Sequence, residues 1–221
     1  IARWQPAGAA AGETLYLQGQ YGSGRRAIAE GIARQLGRPL LSVDIERLIA
    51  FGDLGHLPQV FREARLQDGV LLLRRWDACL GEDRDNTLMR TGLLQGIRLH
   101  PGLVCLAGED DWEPRGQLGD RLFLRLPLAL PDFATRARLW QAKTDELGSA
   151  SFAPEELDPL ANKFAFTPGQ IHDAVMAARG LAAWRAPADP PTLDELYAAA
   201  RAQSTPILNT MARKITPRFG W

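Results

Sequence analysis

The stretch LYLQGQYGSGRRAIAEG, residues 15–31, constrains this chain more than any other. Leu15 to Gln18 have strand character and run into Gly19; a loop carrying Gly22 and Gly24 follows, and then apolar residues recur at helical spacing. Strand, glycine loop and helix in that order aim backbone N–H groups and a helix N-terminus at one point, which suits a phosphate group. The general pattern is G-x-x-x-x-G-K-[ST]. Gly19, Gly22, Ser23 and Gly24 fit a phosphate cradle, but Arg25 stands where the lysine belongs and Arg26 where the hydroxyl belongs. A guanidinium still pairs with phosphate, in a bulkier, forked geometry. Arg26 has no hydroxyl and cannot ligate a cation.

The rest of the first 130 residues alternates strand and helix. Ala27, Ile28, Ile32, Ala33 and Leu36 mark an amphipathic helix ending near Gly37. Strands are predicted at Pro39–Val43, Val70–Leu73, Gly102–Ala107 and Leu122–Leu126, with helices over 58–67 and 85–97. Uninterrupted apolar runs such as VLLL at 70–73 suit strands buried on both faces. Residues 45–56 are ambiguous, and Gly52 and Gly55 suggest a loop. From Asp132 to about residue 203 no strand is predicted, only helices over 132–147, 154–164, 168–185 and 192–203, with starts at Asp132, Thr167-Pro168 and Thr192. The predicted class is α/β: a parallel five-stranded sheet flanked by helices, followed by a small all-helical subdomain. Its expected bounds are 1–130 for the core, 131–203 for the helical part and 204–221 for a tail.

Charge narrows the function classes. Lys plus Arg and Asp plus Glu are 26 each, and the lysines are only Lys143, Lys163 and Lys214. A net charge of zero without an aromatic–basic stripe argues against a nucleic-acid partner. Cys79 and Cys105 sit in or beside apolar runs without metal-ligand spacing and read as a buried, reduced pair. No apolar run approaches membrane-span length, and the first residues lack the pattern of a signal peptide, so a cytoplasmic protein without membrane contact is expected. The chain starts without Met and stops at Trp221, which reads as one module of a longer protein.

A second motif bears on the glycine loop. In GVLLLRRWDACLG, residues 69–81, an apolar run is followed by Arg74-Arg75 and then by Asp77, Ala78, Leu80 and Gly81. This resembles the Walker B region of AAA ATPases, where Asp-Glu stands in place of Arg74-Arg75. The glycine loop then resembles that family's Walker A, the P-loop. The resemblance extends over roughly residues 12–185: GLVCLAGED (102–110) is similar to the sensor-1 strand, with Gly108-Glu109 replacing Thr-Asn. DRLFLRLPLALPDFATRARLWQ (120–141) is similar to the arginine-finger region, which implies Arg121 as a possible finger, with Arg115 and Arg125 nearby. FTPGQIHDAVMAA (166–178) is similar to the sensor-2 helix of the helical lid, and places His172 near the usual sensor arginine. PILNTMARKITPRFGW (206–221) resembles the linker into a second AAA domain in bacterial tandem AAA proteins.

The resemblance implies a P-loop NTPase-type fold with a helical lid, and a degenerate first module beside a neighbouring AAA domain or ring subunits, acting on an unknown client protein. Hydrolysis depends on a metal and on positioned electrostatics. With Arg25, Arg26, Arg74 and Arg75 at the site, no Mg²⁺ ligand is expected and the module reads as a pseudo-ATPase of structural or regulatory role. Two alternatives stay open: weak ATP or ADP binding with arginine ligands, and a polyanion-binding module. The arginines either hold nucleotide without metal or are neutralised internally, with Glu109, Asp110 and Asp111 as the expected partners of Arg74 or Arg75.

Overall fold

The computed structural model describes residues 12–52, 54–148, 152–186 and 189–211. The irregular lead-in expected before Gly12 lies outside these residues. Of the tail expected over residues 204–221, the described part to Met211 is not a separate tail but continues the last helix, Leu193–Met211; the remainder lies outside these residues. The chain divides into two compact units, one of residues 1–20 and 24–129, the other of residues 21–23 and 130–221.

The first unit is built on strands β1 (Glu13–Gln18), β2 (Leu40–Asp44), β3 (Val70–Arg74), β4 (Val104–Gly108) and β5 (Leu122–Pro127). They form one parallel sheet in the order β2-β3-β4-β1-β5. Helices α1 (Arg25–Leu36), α2 (Ile45–Phe51), α3 (Leu57–Leu66) and α4 (Arg84–Leu99) connect them. The side-chain period of two distributes each strand between two cores. Leu71 and Leu73 of β3, Val104 and Leu106 of β4, and Tyr16 of β1 face α3 and α4, with Phe61, Leu93 and Ile97. Val70, Leu72, Cys105 and Leu17 face α1, against Ala29 and Ala33. Both cysteines are free and buried, and burial pushes each thiol up to about 12. Gly96 of α4 leaves no room for a β-carbon, which would run into the Phe61 ring, and one on Gly92 would push aside the end of the Leu57 side chain, 2.8 Å away.

Residues 45–56 are not a loop, as the glycines suggested. Asp44 caps α2 through its carboxylate, which accepts from Arg47 N–H, and Gly52 ends the helix at φ 63°. A single 3-10 turn, Leu54–His56, leads into α3. The signal in this segment is a cap at each end of a seven-residue helix rather than an apolar stripe.

The second unit packs α5 (Phe133–Asp145), α6 (Pro154–Lys163), α7 (Pro168–Arg185) and α8 (Leu193–Met211) around Trp140, Leu157, Leu160, Phe166, Ile171, Val175 and Leu196. Asp132, Thr167 and Thr192 accept from the N–H groups of Thr135, Gln170 and Glu195, so all three expected starts are capped. Among the described residues no helix is long and apolar enough to cross a membrane.

Candidate functional site

The parallel sheet brings the carboxyl ends of β1, β4 and β3 side by side, which is where open α/β sheets place ligands. Gly19 N–H donates to Gly108 O at 3.0 Å, tying the start of the glycine loop to the end of β4. Gly22 and Gly24 hold φ of 74° and 92°, left-handed values that side chains resist. Gly24 is also the N-cap of α1, and no side chain caps that helix. Ser23 Oγ is buried and has no hydrogen-bond partner among the described residues.

Each arginine at this edge has a carboxylate partner. Arg25 Nη2 meets Glu109 Oε1 at 3.2 Å, and Arg26 Nε meets Glu30 Oε1 at 2.6 Å on the exposed face of α1. Arg74 Nη2 and Arg75 Nη2 lie 3.1 and 3.3 Å from Asp44 Oδ2, and Arg75 also pairs with Glu46. Asp44 is buried, so its carboxylate needs these cations; the partly exposed guanidinium groups gain less from it. Arg75 sits at φ 56°, the left-handed N-cap of the 3-10 turn Trp76–Cys79.

These partners differ from those expected. Glu109 serves Arg25 and Asp111 serves Arg125, while Arg74 and Arg75 turn to Asp44 and Glu46. The reason is sheet order: Asp44 of β2 is the register partner of Arg74. Asp110 contributes backbone instead, its N–H donating to Asp77 Oδ1 at 3.0 Å and its carbonyl accepting from the Tyr16 hydroxyl at 2.6 Å. Asp77 Oδ2 accepts from Glu109 N–H at 2.8 Å, so this carboxylate holds the chain end of β4 in place. Burial, with the Asp77 and Asp110 charges nearby, raises the Tyr16 hydroxyl well above its ordinary value.

Mg²⁺ is the metal that the resemblance brings to such a site. A metal ligand set needs oxygen donors, and Arg26 and Arg74 present only N–H groups in the hydroxyl and acid positions. The donor set does not fit the ion. Among the described residues no cluster of three or more His, Cys, Asp or Glu side chains is arranged to hold a metal.

Arg121, the possible finger, has a structural occupation. It is buried, 7% exposed. Its Nε donates to Thr14 Oγ1 at 2.6 Å and its Nη2 to Glu13 O and Gly102 O at 2.7 and 2.6 Å, while Nη1 donates to His100 O. Burial lowers its pKa to about 10, still charged at neutral pH. Arg125 pairs with Asp111 and, at 3.8 Å, with Glu113.

In the second unit, residues Tyr21–Ser23 join the N-terminus of α7. Thr167 Oγ1 donates to Tyr21 O at 2.9 Å, Gly169 N–H to Gly22 O at 2.8 Å, and the Tyr21 hydroxyl to Asp173 Oδ2 at 2.9 Å. Gly22 and Gly169 touch backbone to backbone: a β-carbon on Gly169 would fall 2.5 Å from Gly22 Cα. Sequence reasoning singled out His172, which is exposed on α7, and missed its neighbour Asp173 together with Tyr21. The one available signal was the glycine of TPGQ, at the first turn of a capped helix.

The sheet order, the glycine loop and the helical unit define an AAA-type, ATPase-like fold. Among solved structures the chain is similar to the AAA domain of FIGL-1 in complex with ADP, at 17% identity and TM-score 0.67, over 90% of this chain and 78% of that one. Residues 132–206 match the family model of the contractile injection system ATPase helical domain. No curated protein sequence matches the chain.

Proposed function

We propose that this chain is a hydrolytically inactive AAA-type module that serves a structural or regulatory role in a larger ATPase of a contractile injection system. The carrying observation is the self-neutralisation of the site. Arg25, Arg26, Arg74 and Arg75 are matched by Glu109, Glu30, Asp44 and Glu46 within the chain. Phosphate and metal would both have to displace these pairs, and among the described residues Asp77 at the same edge is already taken up by the Glu109 and Asp110 N–H groups. Metal and positioned charge supply most of the acceleration in phosphoryl transfer, so their loss removes the rate. The family match over the helical part supports the parent machine, and assembly with neighbouring AAA domains or ring subunits follows from that reading. A cytoplasmic location and a bacterial source are parts of the same proposal.

Phosphate release from ATP by the 221-residue chain tests the proposal. The expected rate equals the buffer blank with and without Mg²⁺; Mg²⁺-dependent turnover that survives Arg25→Ala would overturn it.

A second reading, nucleotide binding without hydrolysis, is favoured by the left-handed glycines and the uncapped start of α1. The similar FIGL-1 domain was solved with ADP. Calorimetry with ATP and with ADP, with and without EDTA, separates the readings: EDTA-insensitive binding supports the second, and no heat at high micromolar nucleotide leaves the first.

A further inference from the structure

A groove of about 560 Å³ lies between α3 and α4, away from the glycine loop and the strand-end arginines. Its floor follows from the helix register. Leu57 meets Gly92 and Phe61 meets Gly96, so the two helices run parallel and in step, four residues per contact. Towards the C-terminal ends of the two helices the groove is lined by Leu66 and Leu99, each 69% exposed. The apolar contact between the helices therefore continues into an open trough.

The rim is charged with one sign. Arg62 and Arg65 are exposed, three residues apart on one face of α3, and no acidic side chain lines the groove. Neither guanidinium has a carboxylate within ion-pair distance among the described residues. This contrasts with Arg25, Arg26, Arg74 and Arg75, each held by an acid. Leaving two cations unpaired beside exposed leucines suits an occupant that brings both apolar side chains and carboxylates.

The geometry points to a docking site for an acidic amphipathic helix of a partner protein, its apolar ridge seated between α3 and α4 and its carboxylates paired with Arg62 and Arg65. A trough between two parallel helices accepts the side-chain ridge of a third. The ten residues of α3 extend about 15 Å at 1.5 Å each, enough for roughly three turns of partner helix with apolar residues at i, i+3, i+4 and i+7. The inference is independent of nucleotide binding, since none of these residues belongs to the strand-end site.

Fluorescence anisotropy on the 221-residue chain tests it, with two labelled synthetic helices of about fourteen residues that share the same leucine ridge. One carries glutamates on its flanks, the other lysines. The acidic helix binds saturably and the basic twin at least about tenfold more weakly. Arg62→Glu combined with Arg65→Glu reverses that order. Leu99→Ser weakens the acidic helix on the order of tenfold, the scale of one lost leucine contact. All of these positions are on the surface, and circular dichroism confirms that the variants stay folded. Absence of saturable binding by the acidic helix, equal binding of the twin, or an order unchanged by the double charge reversal would each overturn the proposal.

Discussion

Arg121→Met is the perturbation that most directly tests how the first unit is held together. The guanidinium donates to Thr14 Oγ1, Glu13 O, Gly102 O and His100 O, joining β1, the start of β5 and the turn between α4 and β4. Hydrogen bonds from a charged donor are worth about 1.5 kcal/mol or more each, and the orphaned acceptors stay buried. Four such bonds sum to about 6 kcal/mol, and methionine recovers about 2 kcal/mol of apolar burial, leaving a loss of about 4 kcal/mol. That is a large share of the ordinary stability of a domain, about 5–15 kcal/mol. With a urea m-value of about 2 kcal/mol/M, the unfolding midpoint falls by about 2 M. Tryptophan fluorescence reports it, because Trp76 and Trp112 lie in the same unit with ring centroids 4.9 Å apart. Arg121→Lys restores little, since a single ammonium cannot fork to acceptors on separate elements. A midpoint shift below about 0.5 M, meaning less than about 1 kcal/mol, refutes the structural assignment and returns Arg121 to the finger role.

Other outcomes follow from the same contacts. Burial, with the Arg121 and Arg65 charges, lowers His100 to about 4, so the folded state refuses a proton that the unfolded chain accepts; stability is fully present above about 6.5 and is lost as pH falls towards about 4. His100→Phe flattens that slope in urea titrations across this window, and an unchanged slope rejects His100 as its source. On the second reading, in which nucleotide binds, Glu109→Gln releases Arg25 and calorimetry shows ATP affinity raised about two- to fivefold, the scale of one half-exposed ion pair; a fall in affinity contradicts self-neutralisation. Gly169→Ala forces Gly22 away and costs about 1–3 kcal/mol, read as a lower melting temperature and faster amide exchange at Tyr21–Ser23; wild-type values for both would deny the backbone contact.

The strands were legible because burial on both faces leaves continuous apolar runs. β5 is the instructive exception: Leu122 and Leu124 are each 53% exposed, so its apolar residues mark a strand without marking burial, and Pro127 and Pro131 set its end. The helical unit was legible from its caps. The helix α2 was not, since seven residues carry too few turns to show a period, and Gly52, which suggested a loop, is its C-cap.

The candidate site divides along the same line. That glycines bend the loop, and that cations stand where oxygen ligands belong, is written in local order, because loop conformation and donor chemistry belong to each residue. Which acid answers which arginine is not written there. Arg74 finds Asp44 across 30 positions, and Arg25 finds Glu109 across 84. Those pairings exist because β2 lies beside β3 and β4 beside β1. Arg121 makes the point most sharply: a possible finger by resemblance, it is a buried clamp because folding closes three carbonyls and the Thr14 hydroxyl from separate elements around one guanidinium. Local spacing sets backbone period and side-chain type, whereas ion pairs and burial depend on through-space neighbours that arise only when the sheet assembles.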